Sequence, residues 1–206
     1  MYNVKPPLPP TAERDRIYHR VLLDDSGSTF NFFTANPSGG EAVQNYDQMP
    51  LATNKNTVFL GIKVTPTISV IYDDGTIDPA KVVNAFTDGV IKGLTNQRNR
   101  TEFRYPITDV LNLNGVQPAG FYDGNNTENR MAFTIPATGF RAMDDIFYVE
   151  DNEVWGIDMV FNNANFPAQG DWPDTKFGLT TEIPVAYMTD DELQKYENRW
   201  VRDHGY

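Results

Sequence analysis

One run of this chain constrains its fold more than any other. Between residues 57 and 72, Val58, Leu60, Ile62, Val64, Pro66, Ile68, Val70 and Tyr72 are apolar at every second place. A period of two sends those side chains to one face of an extended chain, so the run specifies β structure with one buried face. The residues between are mostly Thr, Lys and Ser. The run is long for one strand, and Pro66 has no N–H to give to a ladder. It is therefore read as one bent strand, or as two strands broken near Pro66, with Pro66 at an edge, a bulge or a corner.

Shorter strand patterns surround it: IYHRVLL at residues 17–23, TFNFF at 29–33 and MAFTI at 131–135. Residues 146–149 and 154–161 flank Glu150, Asp151, Asn152 and Glu153 and read as a hairpin with a short turn. Phe177, Leu179, Ile183, Val185 and Tyr187 share one parity of a last strand. Residues 36–56, 115–130 and 162–175 are polar and rich in turn formers, and are expected as long loops. Residues 103–113 are expected to be extended or irregular around Pro106.

Two helices are expected. Asp78 can cap one with Pro79 at its first position, and Val82, Val83, Phe86, Val90, Ile91 and Leu94 then recur at helical spacing, which predicts a helix over 79–93. Near the C-terminus, Thr189 and Glu192 have the spacing of a capping box, and Leu193, Tyr196 and Trp200 form one stripe. At the other end, KPPLPP should be extended polyproline II. The expected organisation is an arm over residues 1–15, one β domain over 16–188 and a helical tail over 189–206. The fold class is all-β: an antiparallel jelly-roll sandwich or barrel with one inserted helix and a short C-terminal helix. An immunoglobulin-like sandwich suits this length less well.

Catalytic patterns are sparse. Cysteine is absent, which excludes disulfides, thiolate metal sites and a Cys nucleophile. A net charge of −11 argues against a face built to neutralise phosphates, so direct sequence-specific nucleic-acid binding is not expected. The proline-rich N-terminus lacks the apolar core of a secretory signal, and no apolar run suits a transmembrane helix. His19 alternates with Ile17, Val21 and Leu23 and is expected to be a satisfied strand histidine, and His204 lies three residues from the C-terminal end. No multi-histidine spacing, nucleophile elbow or phosphate loop is present, and Gly39-Gly40 has no helix opening after it. Asp144, Asp145, Glu150, Asp151 and Glu153 read as a solvated run before they read as a glycosidase pair. Asp73, Asp74 and Asp78 around Gly75 lack calcium-loop spacing and read as an acidic turn, with an incidental or interfacial Ca²⁺ there or at residues 123–128 as the alternative. Trp155 is assigned to the core, and Trp172 is the best candidate for stacking a sugar ring. No cofactor, no metal and no enzymatic activity are expected.

Residues 29–70 carry a family resemblance. TFNFF, a polar loop, the stretch NYDQMPL and the strand VFLGIKVTPTISV follow one another in an order that resembles the opening of jelly-roll capsid proteins of tailless icosahedral bacteriophages. The resemblance implies a single-barrel major capsid or penton-type subunit, made in the host cytoplasm and located in the virion. Its implied partners are copies of itself, other capsid proteins and, in particles that have one, an internal membrane. The arm, through Pro6, Pro7, Pro9 and Pro10, and the terminal helix, through Tyr196 and Trp200, are the candidate inter-subunit clasps. The alternative function is a β-sandwich carbohydrate-binding or adhesion module.

Overall fold

This computed structural model describes residues 7–23, 28–33, 44–46, 51, 53–68, 71–73, 88–95, 100–110, 117–122, 129–134, 140–161 and 177–204. The first sheet contains β1 (Glu13–Leu23), β11 (Phe177–Met188), β3 (Asn56–Ile68) and β9 (Arg141–Val149), in that order across the sheet. The second contains β2 (Thr29–Phe32), β10 (Trp155–Val160), β5 (Val90–Thr95) and β6 (Arg100–Pro106). A third, three-stranded sheet joins β4 (Ile71–Asp73), β8 (Asn129–Thr134) and β7 (Gln117–Tyr122). All the pairings are antiparallel. The chain is an all-β sandwich.

The two four-stranded sheets share one apolar core. Ile17, Phe59, Ile62, Val64, Phe147, Leu179 and Val185 from the first meet Phe30, Phe32, Ile91, Phe103, Trp155 and Ile157 from the second. Trp155 is central, as expected: its ring lies 4.8 Å from that of Phe59, edge-on, and 4.9 Å from that of Phe33. The short helix α1 (Ile107–Val110) closes one end with Ile107 and Val110 buried. Gly89 makes room there, because a Cβ on it would collide with the Ile107 side chain, and its carbonyl accepts the Ile107 N–H at 2.9 Å.

The apolar ribbon is not one-sided. Four steps along β3, from Lys63 to Phe59, match only three along β11, from Glu182 to Val185, so β3 bulges by one residue. Each extra residue in a strand reverses which side the next side chains face. Ile62 and Val64 therefore enter the core between the sheets together with Phe59, while Val58 joins a second apolar cluster with Leu60 packed against it. Gly61 sits at the kink, where a Cβ would stand 2.6 Å from the Arg141 carbonyl oxygen of β9. Pro66 pairs with Leu179 on β11, beyond the last β9 pairing at Ile62, so its missing N–H lies at an edge of the ladder.

Four further expectations change. Val90–Thr95, read as the end of a helix over 79–93, is β5, paired with β10 on one side and β6 on the other, and the rest of that helix before residue 88 lies outside the described residues. A short apolar run fits either period, and two flanking partners decide it. Residues 115–130, read as a loop, contain β7, which pairs with β8 from Gln117↔Thr134 to Tyr122↔Asn129. The hairpin around Glu150 to Glu153 is a crossing instead: β9 pairs with β3 and β10 with β2 and β5, so this turn carries the chain from one sheet to the other. Asn152 takes a positive φ of 63° there, a conformation Asn tolerates better than most residues. Lastly, β1 begins inside the stretch read as an arm, because Glu13, Arg14 and Asp15 pair with Tyr187, Ala186 and Val185.

Candidate assembly surface

The outer face of the first sheet carries the second apolar cluster, and two elements cover it. Val58, Ala186, Met188, Leu193 and Tyr196 form its buried centre, with Leu8, Ala12, Leu60, Ile146 and Tyr148 packed around them. One cover is the helix α2 (Asp190–His204). Its start is built as the sequence requires. The Thr189 hydroxyl accepts the Glu192 N–H at 3.4 Å, and the Glu192 carboxylate accepts the Thr189 N–H at 2.9 Å. Asp190, Asp191 and Glu192 place negative charge on the positive end of the helix dipole. Asn56, at the start of β3, donates to the Asp190 carboxylate at 2.7 Å and ties the helix to the sheet.

The other cover is the proline arm. Pro7, Leu8, Pro9 and Pro10 run along α2, and the chain then turns back through an Ala12 N–H to Pro9 carbonyl bond of 3.1 Å. The Thr11 hydroxyl donates to the Glu192 carboxylate, so the capping residue of the helix also holds the arm. That bond, followed by those from Thr189, holds the Glu192 carboxyl below its usual range. Lys55 reaches Glu13 at 2.9 Å where the arm enters β1. Arm and helix enclose a groove of about 680 Å³ whose wall includes Pro7, Pro9, Pro10, Lys195, Tyr196 and Arg199.

The expected clasp residues thus divide. Pro7, Pro9, Pro10 and Tyr196 meet at one groove within a single chain, and Pro6 lies outside the described residues. Tyr196 and Trp200 do not present their rings outward, being 4% and 5% exposed. Burial pushes the Tyr196 phenol above its usual range. Leu193 and Tyr196 of the apolar stripe are already spent on the outer face of the sheet. The signal for this cover was present in the sequence as Leu8 and Ala12 at one end and the α2 stripe at the other. What joins them is a sheet face to which β9 and β11 contribute Ile146, Tyr148, Ala186 and Met188, and to which the bulge at Gly61 adds Val58 and Leu60.

The remaining candidates are scattered. His19 is a satisfied strand histidine: Nδ1 accepts the Phe33 N–H at 2.7 Å, lies 3.2 Å from the Tyr46 hydroxyl, and the ring is boxed by Phe32, Phe33 and Tyr46. Burial lowers its pKa and favours the neutral ring with its proton on Nε2. His204 is the last residue of α2. Asp144, Asp145, Glu150 and Asp151 are exposed, whereas Glu153 is buried, one carboxylate oxygen accepting the Glu150 N–H at 3.3 Å and the other without a partner among the described residues. Among the described residues no three His, Asp or Glu side chains gather as metal ligands. Asp73 ends β4, while Asp74, Gly75, Asp78, residues 123–128, Gly39, Gly40 and Trp172 lie outside the described residues. Tyr187 closes the seam between β1 and β11, donating to Asp15 at 3.4 Å, and burial beside that carboxylate pushes its pKa to about 12.

No protein-family model matches the sequence, and neither the curated proteins nor the solved structures compared with it include a match.

Proposed function

We propose that this chain is a jelly-roll structural subunit of an icosahedral virus particle, a major capsid or penton-type protein that works by self-association and not by catalysis. The observation that carries the reading is strand order. With the three strands of the third sheet set aside as insertions, the other eight, numbered along the chain, lie in the orders 1-8-3-6 and 2-7-4-5. That is the order produced when one long antiparallel hairpin, first strand with eighth, second with seventh, third with sixth and fourth with fifth, rolls into two sheets. Viral capsid domains are among the proteins that use this arrangement. The resemblance of residues 29–70 to phage capsid proteins supports the same reading. On it, the partners are further copies and other capsid proteins, and the protein resides in the virion.

Light scattering on the purified full-length chain, with negative-stain microscopy, tests the proposal. Closed shells, or discrete rings such as pentamers or trimers, are expected. A monomer at every concentration and ionic strength would overturn it.

A further inference from the structure

We infer that copies associate head to tail, the β1 edge of one against the β9 edge of the next, through opposite charge; the inference rests on the self-association proposed above. β1 and β9 are the two opposite edges of the first sheet. On the outer face of β1, Arg14, Arg16, Tyr18 and Arg20 stand opposite Ala186, Pro184, Glu182 and Thr180 of β11. Two exposed cations, Arg14 and Arg16, and the half-buried Arg20 thus face one carboxylate, which already serves Arg16 at 3.5 Å and Lys63 at 3.9 Å. The exposed acids of the same strand, Glu13 and Asp15, are engaged by Lys55 at 2.9 Å and by the Tyr187 hydroxyl at 3.4 Å. Arg16 and Lys63 also lie over the Phe140 ring, at 4.9 and 5.8 Å, which holds their charge on this face. In a chain of net charge −11, this row is a local positive excess.

The β9 edge has the opposite balance. Asp144, Asp145, Glu150 and Asp151 are exposed on β9 and on the turn that follows it. The nearby cation, Arg141, is committed to Asp144 at 2.7 Å and Asp109 at 3.9 Å, and its guanidinium lies 4.1 Å from the Tyr105 ring centre. Strand addition is not the mode. Asn45 already accepts the Tyr18 N–H and donates to the Arg16 carbonyl, and Gln44 bridges to His19, so the middle of the β1 backbone is occupied. The contact is made by side chains. Because the two edges differ, it is heterologous, and repetition closes a ring when the rotation between copies permits. Complementary edges also set orientation and suppress wrong pairings, which is the main use of charge across an interface.

Two charge-reversed variants test this, each checked by circular dichroism and melting for a wild-type fold. R14E/R16E carries an acidic β1 edge and D145K/D151K a basic β9 edge. Each alone is expected to lose assembly by light scattering, and a chain carrying all four substitutions is expected to regain it, since its two reversed edges are complementary again in a ring of any size. Wild-type assemblies should also weaken when salt rises to about 1 M, where charges are screened within about 3 Å. Assembly of either folded variant like wild type, failure of the folded four-substitution chain to assemble, or salt-insensitive wild-type assembly would overturn the contact while leaving the proposed function in place. Absence of wild-type assembly under every condition would overturn both.

Discussion

On the two sides of Gly61, one strand faces two different worlds. Toward the start of β3, Val58 and Leu60 turn outward beneath α2 and the arm. Beyond the kink, Lys63 holds an outward place in an ionic row with Glu182 and Arg16, with no helix laid over it among the described residues. The same sheet therefore has an apolar half covered by helix and arm and a charged half beside it, and a single inserted residue draws the line. The difference teaches that the tail helix follows from the strand. Both elements of the cover lie on the side of the bulge where Val58 and Leu60 face out.

The most damaging way to break the comparison is to empty the covered half. Tyr196→Ala should cost about 3 kcal/mol, as loss of a buried aromatic ring does, with α2 loosening before the sandwich. Denaturant unfolding measures the first and amide exchange the second; equal exchange in α2 and β11 would show that the helix is not a separate layer. Gly61→Val attacks the boundary itself. Its side chain meets the β9 backbone, and a loss of roughly 2 kcal/mol is expected from overpacking. A neutral result would mean the bulge relocates freely. Thr189→Ala removes the helix cap and should cost about 1 kcal/mol, again on the covered half alone.

The smallest effect sharpens the comparison by sparing both halves. His19 faces inward, boxed by Phe32, Phe33 and Tyr46, and no charged residue contacts its ring among the described residues. Its pKa is lowered from 6.5 in the folded chain, so protons bind the unfolded state more readily. Its contribution to stability is complete above pH 6.5 and is lost as pH falls through the lower folded value. A His19→Gln variant should flatten that slope in thermal melts between pH 7 and 5, values chosen to bracket the usual histidine range of about 6.5. An unchanged slope would place the acid sensitivity in the carboxylates instead.

Legibility followed the range of the interactions involved. The α2 cap, the core place of Trp155, the parity of β11 and the quiet role of His19 depend on neighbours a few residues away or on alternation along one strand, and each was readable. The side reversal in β3 was signalled by Phe59, Leu60 and Gly61, three residues that break the alternation with a glycine at the end, but an unbroken period of two in the other parity concealed it. Val90 to Thr95 failed because Val90, Ile91 and Leu94 suit a helix face as well as a central strand, and the partners that decide lie in β10 and β6. The crossing after Val149 failed for a related reason. A short polar turn between two strands looks the same whether it closes a hairpin or changes sheets. In the candidate site, the arm and the helix were both legible as elements; their meeting across some 180 residues of sequence was not, since it depends on β1 lying beside β11.

That neighbourhood has a consequence for how the chain is made. β11 lies between β1 and β3, bonded to both, so the middle of this sheet stays vacant until residue 188 has left the ribosome. Until then β1 and β3 each wait with an unpaired side, long-range pairings that form slowly and invite aggregation in the meantime. A nascent chain must be shielded through that interval, and any early pairing between growing neighbours would trap both with the wrong strand in the central slot.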